Sequence, residues 1–392
     1  MEKQKNIPQL RFSEFDGDWE KKKLGELSII NPTTSKLPDR FIYIDLECVT
    51  DGELTQEVIV FKNEAPSRAQ RVLEKDDILF QMVRPYQKNN LYFNKNGDYV
   101  ASTGYAQIKT KQSPRFIYQY IHLQKFVDEV IERCTGTSYP AINSKDLAKI
   151  CICYPSLAEQ QIIASFFTAI DQKISQLKQK KTLLEQYKKG VMQKIFSQKI
   201  RFKDDNGQVF LNWEKMTGDD LFETISNKNH NSDLPILAIT QEHGAVPRDL
   251  IDYNITVSEQ SIESYKVVER GDFIISLRSF QGGIEYSDYK GICSPAYIIL
   301  RATKKIDNRY FKYYFKTETY ITELNRKLEG IRDGKMISYK YFSDILINVP
   351  SLPEQIKIAN FLSAIDDKIS HTQKQIEKAE TWKKGLMQRM FI

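Results

Sequence analysis

The chain has 392 residues, 41% hydrophobic, 11% aromatic and 28% charged, a balance that excludes a disordered polymer and predicts a folded protein of several domains. No run of 18 apolar residues occurs and the opening MEKQKNIPQL lacks a secretion signal, so no membrane span is expected and the cytoplasm is the expected location. The net charge of +6 is spread unevenly, with +1 on residues 1–154, +5 on 155–200, −2 on 201–349 and +2 on 350–392; bulk charge alone therefore does not point to nucleic acid.

The first block, residues 1–154, reads as mixed. DILFQMV (77–83) is a predicted strand, RPYQKNNLYFNKNG (84–97) a polar loop, and RFIYQYIHLQKFVDEVIERCTG (115–136) an aromatic helix with a Gly stop. Five cysteines, Cys48, Cys134, Cys151, Cys153 and Cys293, show no C-x-x-C spacing. Buried free thiols in a reducing compartment are expected, and no metal site.

From Pro155 a long helix is predicted over 155–198, because proline ends a strand or opens a helical turn. Its apolar residues keep a seven-residue beat: Ile163, Ile170, Leu177, Leu184 and Val191, with Phe167 and Ile174 on the companion position and Lys181 and Lys188 interrupting it. The second block, 199–349, again has strand-like runs (DFIISL, 272–277; AYIILRA, 296–302; SDILINV, 343–349) and an aromatic helix (309–330). A second long helix, 350–392, carries Ile358, Ile365 and Leu386 with Leu362, Ile369 and Ile376 as companions and Lys383 as an interruption. Gly190 and Gly385 are expected to permit a close contact or to mark a break.

The chain repeats itself. Residues 155–196 align without gaps to 350–391 with 21 identities in 42 positions, and WEKKKLGEL (19–27), KDDILFQMVRPYQ (75–87) and the aromatic helix have fainter counterparts in the same order. The expected fold class is therefore α+β (mixed α/β): two globular blocks and two long helices, with a pseudo-twofold internal repeat. About forty residues at 1.5 Å each make a rod of about 60 Å. Neither apolar stripe suffices to bury itself on a block along its whole length, so the helices are expected to pair, antiparallel; the alternative is that each packs separately on its own block.

Catalytic motifs are missing. No phosphate-binding G-x-x-x-x-G-K-[ST], G-x-S-x-G or H-E-x-x-H is present, and Asp171 and Asp366, at matching helical positions, read as carboxylates on a solvated face. The residues point to a chain that binds and positions.

The two PSL-x-EQ-x-x-I-A-x-F…AID-x-KIS segments, the two KKG-[VL]-MQ helix ends and the opening P-x-LRF-x-x-F-x-G-x-WE (Pro8 to Glu20) resemble the DNA-specificity (S) subunits of bacterial type I restriction–modification enzymes, over essentially the whole chain. The resemblance implies a noncatalytic chain with two target-recognition domains and an antiparallel coiled coil that spaces them and docks partners. It implies double-stranded DNA, two modification (methyltransferase) subunits and up to two restriction (nuclease-translocase) subunits as partners. No cofactor is expected in this chain; S-adenosylmethionine belongs to the modification subunits, and ATP with Mg²⁺ to the restriction subunits.

Loops combining Arg or Lys with an aromatic and an amide suit base reading, Arg for guanine and Gln for adenine. The candidate DNA-contacting residues are Arg84, Tyr86, Gln87 and Lys88, Thr137 and Ser138, Arg278, Phe280 and Gln281, and Arg332 and Lys335. The competing reading is a protein-binding scaffold with two domains on a coiled coil.

Overall fold

In the computed structural model, each Pro-Ser pair of the repeat opens a long helix, Leu157–Phe196 and Leu352–Met390. The structure describes residues 6–34, 36–230, 233–251, 262–326 and 337–392. Two compact units emerge, Met1–Lys178 with Gln373–Ile392, and Gln179–Thr372. Each unit thus holds one block together with the N-terminal half of one long helix and the C-terminal half of the other.

Within each unit the two helix halves run antiparallel. In the first, Phe167 packs on Phe391 (ring centroids 5.6 Å), Asp171 pairs with Lys383 (2.6 Å) and Lys178 with Glu380 (3.0 Å). In the second, Lys188 pairs with Asp366 (2.6 Å), while Ile195 and Phe196 share a core cluster with Ile358 and Leu362. Of the heptad residues, Ile163, Phe167, Ile170, Ile174, Leu177, Ile358, Leu362, Ile365 and Ile376 are buried; Leu184, Val191, Ile369 and Leu386 are half-buried.

The lysines that interrupt the beat have a use. Lys188 and Lys383 occupy equivalent repeat positions and reach Asp366 and Asp171 on the facing helix. Asp171 also accepts from Gln119 Nε2 (2.7 Å), and Asp366 from the Tyr313 hydroxyl (2.8 Å). These carboxylates are half-buried partners, not members of a solvated face. Each of the two lysine–aspartate pairs remains partly exposed and contributes at most about 1 kcal/mol, so they fix register more than they stabilise.

The EQ of the repeat motif anchors each long helix. Glu159 accepts a two-bond fork from Arg11 (2.8 and 2.7 Å) and Glu354 one from Arg201 (2.9 and 2.9 Å); the glutamates are 1% and 0% exposed. Both lie in a first helical turn, where the helix dipole favours a negative charge. Gln160 accepts from Ser113 N and donates to Pro155 O, and Gln355 does the same with Asp307 N and Pro350 O. The glutamine therefore clips the helix start to the cap of the aromatic helix beside it. Phe12 on Phe166 and Phe202 on Phe361 complete the match.

The blocks share a frame. Strand Glu20–Lys23 pairs antiparallel with Cys151–Tyr154, and Glu214–Thr217 with Leu346–Val349, tying each block's start to the strand that leads into a long helix. Each has a four-stranded sheet of the same order: Ser28–Ile30, Tyr105–Thr110, Ile78–Gln81, Leu91–Tyr92 in the first, and Phe222–Ile225, Ile298–Ala302, Phe273–Ile275, Glu285–Tyr286 in the second. Beyond that frame they diverge. The first unit adds a second four-stranded sheet (Val58–Phe61, Arg40–Ile44, Tyr99–Ser102, Ala69–Val72), the second unit two-stranded ones (Leu237–Thr240 with Gly244–Pro247, Lys266–Val268 with Gly291–Cys293).

Two further expectations need correction. The aromatic segment is not one helix but two, Pro114–Tyr120 and Gln124–Glu132, with the same division at Asn308–Tyr314 and Glu318–Arg326. The break re-phases the apolar stripe: Phe116, Ile117 and Tyr120 are buried before it, and Phe126, Val127 and Val130 after it. Gly190 and Gly385 sit inside unbroken helices, and a Cβ at either would meet nothing within 4 Å, so neither marks a break or a close contact within the chain.

All five cysteines are free, with Cys48, Cys153 and Cys293 buried. Among the described residues no three His, Cys, Asp or Glu side chains gather as metal ligands, and no helix is long and apolar enough to cross a membrane.

Candidate nucleic-acid interface

The strand Ile78–Gln81 feeds a loop whose backbone turns twice into the left-handed region, at Arg84 (φ 53°) and Lys88 (φ 56°), around the short turn Pro85–Gln87. A second loop comes to meet it. Thr135 and Ala141 exchange both backbone hydrogen bonds (2.9 and 3.0 Å), closing a small hairpin with Thr137, Ser138 and Tyr139 exposed at its tip. Gly136 makes that tip possible, since its φ is +90° and a Cβ there would press on Tyr139 O at 3.2 Å. Arg84 N donates to Pro140 O (2.8 Å), and the Arg84 guanidinium stacks over the Tyr139 ring at 4.2 Å.

Arg84, Tyr86, Thr137 and Ser138 thus belong to two joined loops, with Tyr86 exposed. Gln87 and Lys88 turn inward for part of their bonding. Gln87 Oε1 accepts from Gln81 Nε2 (2.9 Å), and Lys88 Nζ donates to His122 O (3.2 Å) and Gln124 Oε1 (3.0 Å). Burial pushes the Lys88 ammonium below its ordinary pKa, and its two acceptors within the unit suit a structural tie better than a phosphate contact.

In the second unit the loop after Phe273–Ile275 forms a short helix, Ser279–Gly282, with Arg278 and Gln281 exposed. Ser279 Oγ accepts from Ser276 N (2.9 Å), and Gln241 Nε2 donates to Arg278 O (3.2 Å). Phe280 is half-buried against the second unit's core, so its ring is not presented whole to a base. Arg332 and Lys335 lie outside the described residues.

Three residues here carry no sequence motif that singles them out: Tyr139, Gln241 and His122. Tyr139 follows the candidates Thr137 and Ser138, and its spacing from Gly136 is the feature that marks it. His122 joins loop to helix. Its Nδ1 lies 2.6 Å from Tyr118 O, which can only accept, so the proton sits on Nδ1 and Nε2 faces Asn90 Nδ2 at 3.3 Å as the acceptor. Asn90 Oδ1 in turn accepts from Gln81 N (2.9 Å).

Burial, with smaller contributions from Lys383 and Lys88, pushes the His122 imidazole from 6.5 down to about 4. Between those values the unfolded chain binds the extra proton, so the stability His122 contributes is full above about 6.5 and is lost as pH falls toward about 4. Urea titrations across that range are expected to show the wild type losing more stability on acidification than His122→Gln; equal losses would contradict it.

The family model described as "Type I restriction modification DNA specificity domain" matches twice, over residues 16–186 and 211–381. Over 420 residues the chain is 25% identical to a putative type I restriction enzyme MjaX specificity subunit of Methanocaldococcus jannaschii, covering 98% of this chain and 95% of that protein. The MjaVIII specificity subunit of the same organism is 24% identical over 98% and 95%. A type I restriction–modification S subunit structure from M. genitalium matches with a TM-score of 0.59 at 14% identity, over 98% of this chain and 99% of that one. A chain from a study of complex assembly and conformational transition in a type I system matches at 0.57 with 20% identity, over 95% and 97%. With two matched domains spanning most of its length, the chain belongs to the type I restriction–modification DNA specificity family.

Proposed function

We propose that each unit reads one half of a two-part double-stranded DNA target, and that the paired long helices set the gap between the halves. A chain of this family is noncatalytic and serves DNA target recognition. The finer reading is that the helices also dock two modification subunits, which use S-adenosylmethionine to methylate adenine, and up to two restriction subunits, which use ATP and Mg²⁺. Its setting is the cytoplasm, where those partners and DNA meet.

One observation carries this reading. The anchors are duplicated nearly atom for atom, Arg11–Glu159 with Arg201–Glu354 and Lys383–Asp171 with Lys188–Asp366. The candidate loops of the two units differ, RPYQKNN in one and RSFQGG in the other. A like frame presenting unlike loops is what two readers of different sequence need. The near-neutral blocks fit a division of labour in which partner subunits supply further phosphate contacts.

The test is co-expression with the cognate modification subunit in a host free of other methyltransferases, followed by mapping of modified bases at single-base resolution. Adenine methylation at a two-part motif with a fixed gap is the expected result. Failure to co-purify, with unmodified DNA, would favour the protein-scaffold reading instead.

A further inference from the structure

The two candidate reading loops are each held from behind by a side chain that lies two residues past the end of an aromatic helix. In the first unit that residue is His122, after Pro114–Tyr120; in the second it is Lys316, after Asn308–Tyr314. His122 reaches Asn90, the residue closing the loop, while Lys88 of the same loop donates back to His122 O. Lys316 Nζ donates to Gly282 O (2.9 Å) and to Glu285 Oε1 (2.5 Å), the residue that closes the second loop.

The chemistry of the two ties differs. The first is a neutral chain, from Gln81 through Asn90 and His122 to Tyr118 O. The second is an ion pair whose carboxylate is 2% exposed. Its loop has little room to shift: Gly283 has φ +81°, and a Cβ there would lie 2.1 Å from Phe315 O. Neither tie belongs to the repeated anchors of the long helices. Both stand where the helix break puts them, against Lys88 and Asn90 of the loop that carries Arg84 and Gln87 in one unit, and against Gly282 and Glu285 of the loop that carries Arg278 and Gln281 in the other.

We propose that His122 and the Lys316–Glu285 pair are positioning residues for sequence reading, each setting the pose of one loop and so the letters of one half-site without touching DNA. This rests on the reading that the two loops face bases. A loop free to shift by an ångström loses the geometry that a two-bond base contact requires. The ties act on separate units, so their effects separate.

The experiment uses the complex of the full chain with its modification subunit, methylating a randomised DNA library that is then read at single-base resolution. The variant Glu285→Leu with Lys316→Met removes the second tie and leaves no unpaired buried charge, so folding is retained. Discrimination in one half-site is expected to fall about tenfold, with the other half-site's letters and the gap unchanged. His122→Phe, which keeps the ring, is expected to relax the opposite half-site. The pair Glu285→Gln with Lys316→Gln, which restores a neutral hydrogen bond, is expected to recover most of the lost discrimination.

A uniform drop in methylation with all letters intact would reduce the ties to structural groups and overturn the proposal. So would relaxation of both half-sites together. Arg84→Ala and Gln281→Ala separate the two layers. If these alter letters and the tie variants do not, the positioning role fails alone; if neither set alters them, the reading of the loops fails and the proposal with it.

Discussion

Arg201→Met is expected to destabilise the second unit by about 3–5 kcal/mol, the cost of breaking a buried ion pair by removing one partner. Glu354 is fully buried and, among the described residues, would keep only the Trp213 Nε1 donor at 3.0 Å. Arg201 also ties down the chain before the first strand through Phe210 O and Leu211 O, so its loss frees that segment too. Arg11→Met is expected to do the same to the first unit, where Arg11 donates to Gly17 O and Asp16 O besides Glu159. In urea, with a slope of about 2–3 kcal/mol per molar, the midpoint should fall by about 1–2.5 M. The double change Arg201→Met with Glu354→Leu is expected to recover most of the loss, because apolar replacement of both partners is often neutral. A single variant that unfolds like the wild type would show that the fork does not anchor the helix.

The second large effect concerns the proposed ruler. One heptad inserted into both long helices adds about 10 Å, or about 3 base pairs. It preserves the helical seam, since seven residues are close to two turns. DNA does not share that phase, because 3 base pairs turn the duplex by about a third of its 10–10.5 base-pair repeat. A reader displaced by one heptad therefore meets the wrong side of the groove, and modification is expected to fall at least a hundredfold or to move to a longer gap. Three heptads add about 31 Å, close to one DNA turn of about 34–36 Å, and activity is expected to return.

Much of the architecture was written in the repeat itself. The same residues recur at a fixed offset, so two copies of one set of constraints are visible at once, and the heptads mark the face each helix buries. The role of Glu159 and Glu354 is hidden because their partners stand near the start of each block at a different spacing. Arg11-Phe12 and Arg201-Phe202 stand at unequal distances from the repeat, and an ungapped comparison passes over them. Lys188 and Lys383 read as flaws in the seam because heptad counting scores apolarity and is blind to a carboxylate on the facing helix. The break at Ile121–Leu123 was lost because apolar residues continue through it with only a change of phase.

The candidate base-reading residues are harder to see from sequence. They sit in loops without periodicity, and only the fold decides that Lys88 turns inward and Phe280 packs on the core while Arg84 stacks on Tyr139. The pairing of the loops at 84–90 and 133–142 is a tertiary fact that no local pattern announces.

The measurement that bears most directly on the central claim is a single-base methylation map of the three-heptad variant beside the wild type, each in complex with the modification subunit. The account predicts the same letters in both half-sites and a gap longer by about 9 base pairs. An unchanged gap, or changed letters within a half-site, would contradict the claim that the helices measure while the units read.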